Sequence, residues 1–200
     1  MKPGHALALL ALAFTFMGCS DGGSGPPRVP AGSGGTGGGD GGTPAPKLVF
    51  VSSTEYTPAF DTLDAADAIC QKLAVDAGLA GSYRAWLSDA SGSPSTRFEH
   101  STGPYELVSG TNVAESWAAL TSKPLAVSID RTELDEAATL SFEVWTGTHP
   151  NGTASDQHCE GWTASGKASI GDARELGSGW TELGFSGSCS GFRRLYCFEQ

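Results

Sequence analysis

The stretch Asp61–Asp89, DTLDAADAICQKLAVDAGLAGSYRAWLSD, decides how the rest of the chain is read. Leu63, Ala66, Cys70, Leu73 and Ala77 recur at three- and four-residue steps and share one helical face. Asp61 can accept from the free N–H groups of a first turn, and Asp64 suits the positive end of the helix dipole. Gly78 supplies the left-handed stop. The spacing predicts a helix between Asp61 and Gly78, with Cys70 on its buried stripe. YRAWLSD (83–89) then reads as a strand.

Further out the signals are shorter. KLVFVSS (47–53) is an apolar, β-branched run of the kind that forms a buried strand, and SGSPSTR (91–97) reads as an exposed loop. NVAESWAAL (112–120) offers Asn112 as a cap with Glu115 three residues on, which predicts a second, short helix. LAVSID (125–130) and TLSFEVWTG (139–147) alternate as strands do, and RRLYCFE (193–199) reads as another. Between Gly147 and Gly191 the chain is rich in Gly, Ser and Thr, and so much irregular chain in one domain implies a function or a clamp. No internal repeat is present. Early helices, short strands and a clamped loop region define an α+β class.

The N-terminal part differs in composition. One lysine precedes an apolar run from Ala6 to Phe16, long enough for a signal-peptide core and too short to span a bilayer. It ends in Met17-Gly18-Cys19, which resembles a bacterial lipobox, so residues 1–18 are expected to be a lipoprotein signal peptide and Cys19 the lipidated residue. Residues 20–46 hold eleven glycines and five prolines and nothing large to bury, so they read as a disordered tether. Its reach is roughly 30 Å, at about 5–6 Å × √n. Ser20 is not the aspartate that commonly retains lipoproteins at the inner membrane, so the outer membrane is the expected location.

Residues 47–200 remain as one domain of ordinary size, with ten basic against twenty acidic residues. That balance argues against nucleic acid and against heparin-like polyanions as partners, and leaves the lipid anchor as the only expected membrane contact. Setting Cys19 aside leaves Cys70, Cys159, Cys189 and Cys197, an even number in an exported chain, so two disulfides are expected. Spacing does not choose among the three pairings.

AADAICQKLAVDAGLAGSYRAWLSD, ESWAAL, VWTGTHPNG, CEGW and SCSGFRRLYCFE fall in the order and spacing of endostatin, the C-terminal domain of collagens XV and XVIII. They also resemble a group of exported bacterial domains. The similarity runs from Leu48 to Glu199 and implies a C-type lectin-like fold: two helices, short and mostly antiparallel strands, and a long disulfide-clamped loop region. The resemblance also implies Cys70 with Cys197 and Cys159 with Cys189. In the chain-entropy treatment, closing such loops contributes about 5 and about 3–4 kcal/mol respectively.

HPNGTASDQHCEGW (149–162) gathers His149, Asp156, His158, Cys159 and Glu160 and looks like a metal site. A bridged Cys159 has no thiolate to give, and the remaining residues lack zinc-site spacing. GSCSG (187–191) fits a nucleophile elbow in letters, but a strand follows it and its cysteine has a disulfide partner waiting. Asn151-Gly152-Thr153 matches a glycosylation sequon, which is given little weight because the lipobox resemblance implies a bacterium. Sugar-binding C-type lectins hold calcium through Glu-Pro-Asn and Trp-Asn-Asp. Here the corresponding places read His149-Pro150-Asn151 and Trp180-Thr181-Glu182, a poor oxygen set for calcium. Endostatin's histidine-rich zinc site and arginine-rich heparin face have no counterpart, since Arg193-Arg194 is the sole arginine pair.

The resulting expectation is a non-catalytic, lipid-anchored surface module that needs no cofactor or metal and binds an extracellular protein or glycan. His149, Asn151, Asp156, His158, Trp180 and Glu182 are the candidate ligand-binding residues. HPNG supplies the turn, TASDQH the solvent-facing rim, and Trp162 or Trp180 would serve as contacts if exposed and as core if not. The alternatives are a calcium-dependent lectin, a passive structural surface protein, and an exported hydrolase of envelope or extracellular polymers. Two carboxylates in one cleft would favour the hydrolase.

Overall fold

The computed structural model describes residues 44–200. The apolar run, Cys19 and the tether up to residue 43 lie outside the described residues. No helix among the described residues is long and apolar enough to cross a membrane.

Along the chain, β1 (Lys47–Val51) leads to α1 (Leu63–Asp76), β2 (Tyr83–Ala85), α2 (Pro94–Arg97), β3 (Tyr105–Leu107) and β4 (Asn112–Ala114). Then come α3 (Trp117–Leu120), β5 (Glu143–Trp145), β6 (Lys167–Asp172), β7 (Ser186–Ser188) and β8 (Arg194–Glu199). One-turn segments lie at Cys159–Trp162 and, as a 3-10 turn, at Ser178–Trp180. The strands form one mixed sheet in the order β4-β3-β1-β8-β5-β6-β7, with β2 pairing to the end of β8. The β1/β3 and β5/β8 pairs are parallel and the rest antiparallel, so the domain is α+β.

The alternation of β1 and β8 builds two cores, one on each face of the sheet. Val49, Val51, Tyr196 and Phe198 face a cluster centred on Trp86, which touches Phe98, Trp117, Trp180 and Phe198 at centroid distances of 4.8–5.8 Å. Phe50, Leu195 and Cys197 face the other way, toward α1 and the indoles of Trp145 and Trp162. Leu63, Ala66, Cys70 and Ala74 form the buried stripe of α1. Cys70 reaches Cys197 from that stripe, and Cys159 is joined to Cys189.

Arg194 opens β8 and is buried without a carboxylate partner. Its guanidinium donates instead to the carbonyls of Ser52, Thr139 and Ser141 at 2.5–2.9 Å, which ties two loops to the start of the central strand. A buried cation is tolerable because each of its three nitrogens donates to a carbonyl.

Several local expectations are corrected. The cap of α1 is Thr62, whose Oγ1 accepts from the Ala65 N–H at 3.1 Å. Asp61 has a φ of 64° and turns the chain just before it. Asn112 does not cap a helix. It begins β4, because the Ser109-Gly110 turn closes a hairpin with β3 and Val113 is needed in the core; Ser116 caps α3 instead. The stretch 91–97 is not simply an exposed loop. Ser93 and Thr96 form a capping box around the single turn α2, and Ser93 and Pro94 are buried. Residues 125–130 alternate as expected, with Leu125 and Ile129 inside, but form no strand. Their backbone bonds are divided among Leu176, Val113 and Ala138. In place of two helices, the described residues hold one long helix and several single turns.

β6 and the 3-10 turn approach so closely that a Cβ on Gly171 would sit 1.9 Å from the Trp180 carbonyl oxygen. Overpacking usually costs about 1–3 kcal/mol, and here the obstacle is backbone. Gly171→Ala is expected to cost about 3 kcal/mol or more, measured by urea unfolding at constant m-value.

Candidate functional site

The long loop after β5 rests on a buried set of hydroxyl groups. Thr146 Oγ1 donates to the Thr181 carbonyl at 2.6 Å, and Thr181 Oγ1 donates to the Thr148 carbonyl at 3.0 Å. The same Thr181 hydroxyl accepts from Trp86 Nε1 at 2.8 Å, and the Thr148 hydroxyl pairs with that of Ser88 at 2.7 Å. These side chains are fully enclosed, so their hydrogen bonds are obligatory. A serine pair, Ser155 with Ser169 at 2.8 Å, pins the loop a second time.

Above this base the chain makes the expected turn. The Gly152 N–H donates to the His149 carbonyl at 2.9 Å, with Gly152 at a φ of 83°. A side chain at Gly152 would press on the Trp117 indole, 3.1 Å away. Asn151, Thr153, Asp156 and Gln157 face solvent. Asn151 Oδ1 accepts from the Thr153 N–H and hydroxyl, which orders the tip.

Two of the six candidate residues meet. His149 Nδ1 lies 3.0–3.1 Å from both carboxylate oxygens of Glu182, with both side chains partly exposed. Asn151 and Asp156 stand apart on the rim. His158 is occupied within its own turn. Its Nδ1 accepts from the Gly161 N–H at 2.9 Å, which puts the ring proton of the neutral form on Nε2. Trp180 must be removed from the candidate set. It is 2% exposed, packed between Trp86 and Tyr196, and its carbonyl accepts from the Tyr196 hydroxyl. Trp162 is likewise core, fully buried with its Nε1 donating to the Ser88 carbonyl. In sequence, indoles this large fit either role; long-range packing claims them.

The exposed aromatics are others, Phe192 and Phe185 among them. Phe185 is 60% exposed beside a cleft of about 120 Å³ lined by Gln157, Ser169, Glu182, Gly184 and Ser186. His100 lies flat on the half-buried Trp117, at 3.9 Å and 5°. The Gly184-Phe185-Ser186 turn is the only sequence signal for the first, and none marks the second.

The turn Cys159–Trp162 closes the loop in an unusual conformation. Its φ values are 53°, 52°, 77° and 64°, and the Thr163 N–H donates to the Cys159 carbonyl at 3.0 Å as in a helix. Glu160 (ψ 46°) and Gly161 (ψ 33°) fit a left-handed helix. Such geometry costs about 1–2 kcal/mol for each non-glycine residue. The bridge at Cys159 and the buried Trp162 hold it.

A larger cleft, about 590 Å³, opens where α1 begins and is lined by Asp61, Asp64, Asp89, Ser91, Arg97 and Gly161. Asp89 accepts from the Ser91 N–H and hydroxyl, and Arg97 is bonded to Asp67. Burial pushes the Asp67 carboxyl up, against the opposing pull of the Ala85 N–H and Arg97. Among the described residues, no three His, Cys, Asp or Glu side chains are grouped to hold a metal ion.

No protein-family model matches the chain, and no curated protein sequence is detectably similar to it.

Thr181→Val keeps the shape and deletes the hydroxyl that serves both Trp86 and Thr148. The expected loss is about 1–3 kcal/mol, the cost of stranding buried polar groups, seen as a lower urea midpoint.

Proposed function

We propose that residues 47–200 are an endostatin-like, C-type lectin-like recognition domain, carried on a lipid-anchored tether at the bacterial outer membrane. It binds an extracellular protein or glycan without catalysis. The observation that carries this reading is the contrast within one loop region. Its base is held by buried hydroxyls and a disulfide, while its rim presents Asn151, Asp156 and Gln157 with the His149–Glu182 pair. An ordered polar rim loses little entropy on binding, and the neighbouring Phe185 adds apolar contact. The resemblance carried by GLAGSYRAWLSD (78–89) supports the family assignment.

A hydrolase is the second reading, favoured by the three aspartates that line the cleft at the start of α1.

A glycan and extracellular-protein array probed with the full chain, with and without calcium, tests the first reading. The joint variant Asn151→Ala, Phe185→Ala is expected to weaken any specific binding about tenfold or more without changing the unfolding midpoint. Binding unchanged by that variant would remove the rim from consideration. Chain cleavage of an arrayed polymer, abolished by Asp89→Asn, would replace recognition by hydrolysis.

Acylation of Cys19 has its own test. Cys19→Ala should move the protein from carbonate-washed membranes to the soluble fraction, and equal retention of both forms would refute the anchor.

A further inference from the structure

The left-handed turn Cys159–Trp162 is fastened at its two ends by different means. Cys159 is held through its sulfur to Cys189, and Trp162 by burial of its indole against Phe60 and Trp145. Between them Glu160 is exposed, with a φ of 52°, and its one hydrogen bond among the described residues is a long one, from the Thr163 hydroxyl to its carbonyl at 3.3 Å. Three non-glycine residues of this turn sit in the region that L-amino acids avoid, so it persists only while both fastenings hold. The two bridges are placed differently. Cys70–Cys197 lies between α1 and a central strand whose residues 194–198 are all buried. The sulfurs of Cys159 and Cys189 are also buried, but Glu160, Ser188 and Ser190 beside them are exposed, so a local opening uncovers them.

We propose that the Cys159–Cys189 bridge is a redox-sensitive latch for the rim of the loop. A dithiol reductant attacks it through a mixed disulfide and leaves as a cyclic disulfide, and its two electrons and two protons convert Cys159 and Cys189 to thiols. Freed from Cys189, Cys159 and Glu160 return to ordinary backbone conformations. His158 then loses its bond to the Gly161 N–H, and the segment from Ser155 to Gly166 opens. The sheet and α1 stay folded on the remaining bridge. The consequence for ligand binding rests on the recognition reading above; the latch itself does not.

The oxidised full chain is titrated with dithiothreitol under native conditions, alkylated, mapped, and followed by amide hydrogen exchange. Cys159 and Cys189 should be alkylated at a dithiothreitol concentration at least about tenfold below that needed for Cys70 and Cys197. In that species, peptides over 155–166 should exchange about 100-fold faster, and those of α1 and β8 should change little. Glu160→Gly, which suits a left-handed position, should raise the required dithiothreitol concentration about fivefold. Simultaneous opening of both bridges, continued protection of 155–166 after reduction, or an unaltered titration of Glu160→Gly would each overturn the latch. None of these results depends on a ligand, so the recognition reading stands or falls separately.

Discussion

Strand β8 is buried on both faces, and that constraint organises the molecule. A strand enclosed on both sides must offer apolar side chains in both directions, and Leu195, Tyr196, Cys197 and Phe198 do so. Tyr196 and Phe198 meet Trp86 and Trp180; Leu195 and Cys197 meet α1 and Trp145. Three strands compete for its two edges. β1 takes one edge, while β5 and β2 share the other, β5 at the start and β2 at the end. The Cys70–Cys197 bridge fixes the long helix to this same strand across 127 residues of sequence. Its entropic effect, about 5 kcal/mol, is comparable with the whole stability of an ordinary domain.

The loop face inherits its order from that centre through polar contacts. Trp86 belongs to the aromatic core, yet its Nε1 donates to the Thr181 hydroxyl, which donates in turn to the Thr148 carbonyl. Thr146 and Ser88 extend the chain of hydroxyls. In a low-dielectric interior such bonds have no competing water, and leaving one unmade costs more than forming it gains. The irregular chain above can therefore be solvent-facing and still ordered. Threonine and serine suit this position, because each hydroxyl both donates and accepts.

Left-handed backbone is concentrated in the turn Cys159–Trp162. Left-handed residues at Cys159, Glu160 and Trp162 are set against the burial of one indole and one disulfide. Glycine at 161 alone has no objection to the geometry. A helical turn of the usual hand would carry Trp162 away from Ser88, whose carbonyl its Nε1 needs. The sign of the turn follows from where its two ends must be.

The long helix, the strands at 47–51 and 194–199, the α+β class and the turn at HPNG are all legible in sequence. Each depends on neighbours a few residues away, where period and turn chemistry are reliable. The resemblance adds the cysteine pairing that spacing leaves open. Short elements escape such reading because their signals are ambiguous within a few residues. Asn112 can cap or start a strand, and only the hairpin with Tyr105 decides. The candidate site divides the same way. His149 and Glu182 are partners across 33 residues, whereas Trp180 is lost to the core and Phe185 emerges instead. By itself, the sequence determined which segments are apolar, where the chain turns and how many bridges to expect. Only the tertiary structure decided which aromatics are buried, which hydroxyls meet and which turn is left-handed. Those outcomes rest on contacts between residues tens of positions apart, such as Trp162 with Ser88 and Trp86 with Thr181, that no local pattern encodes.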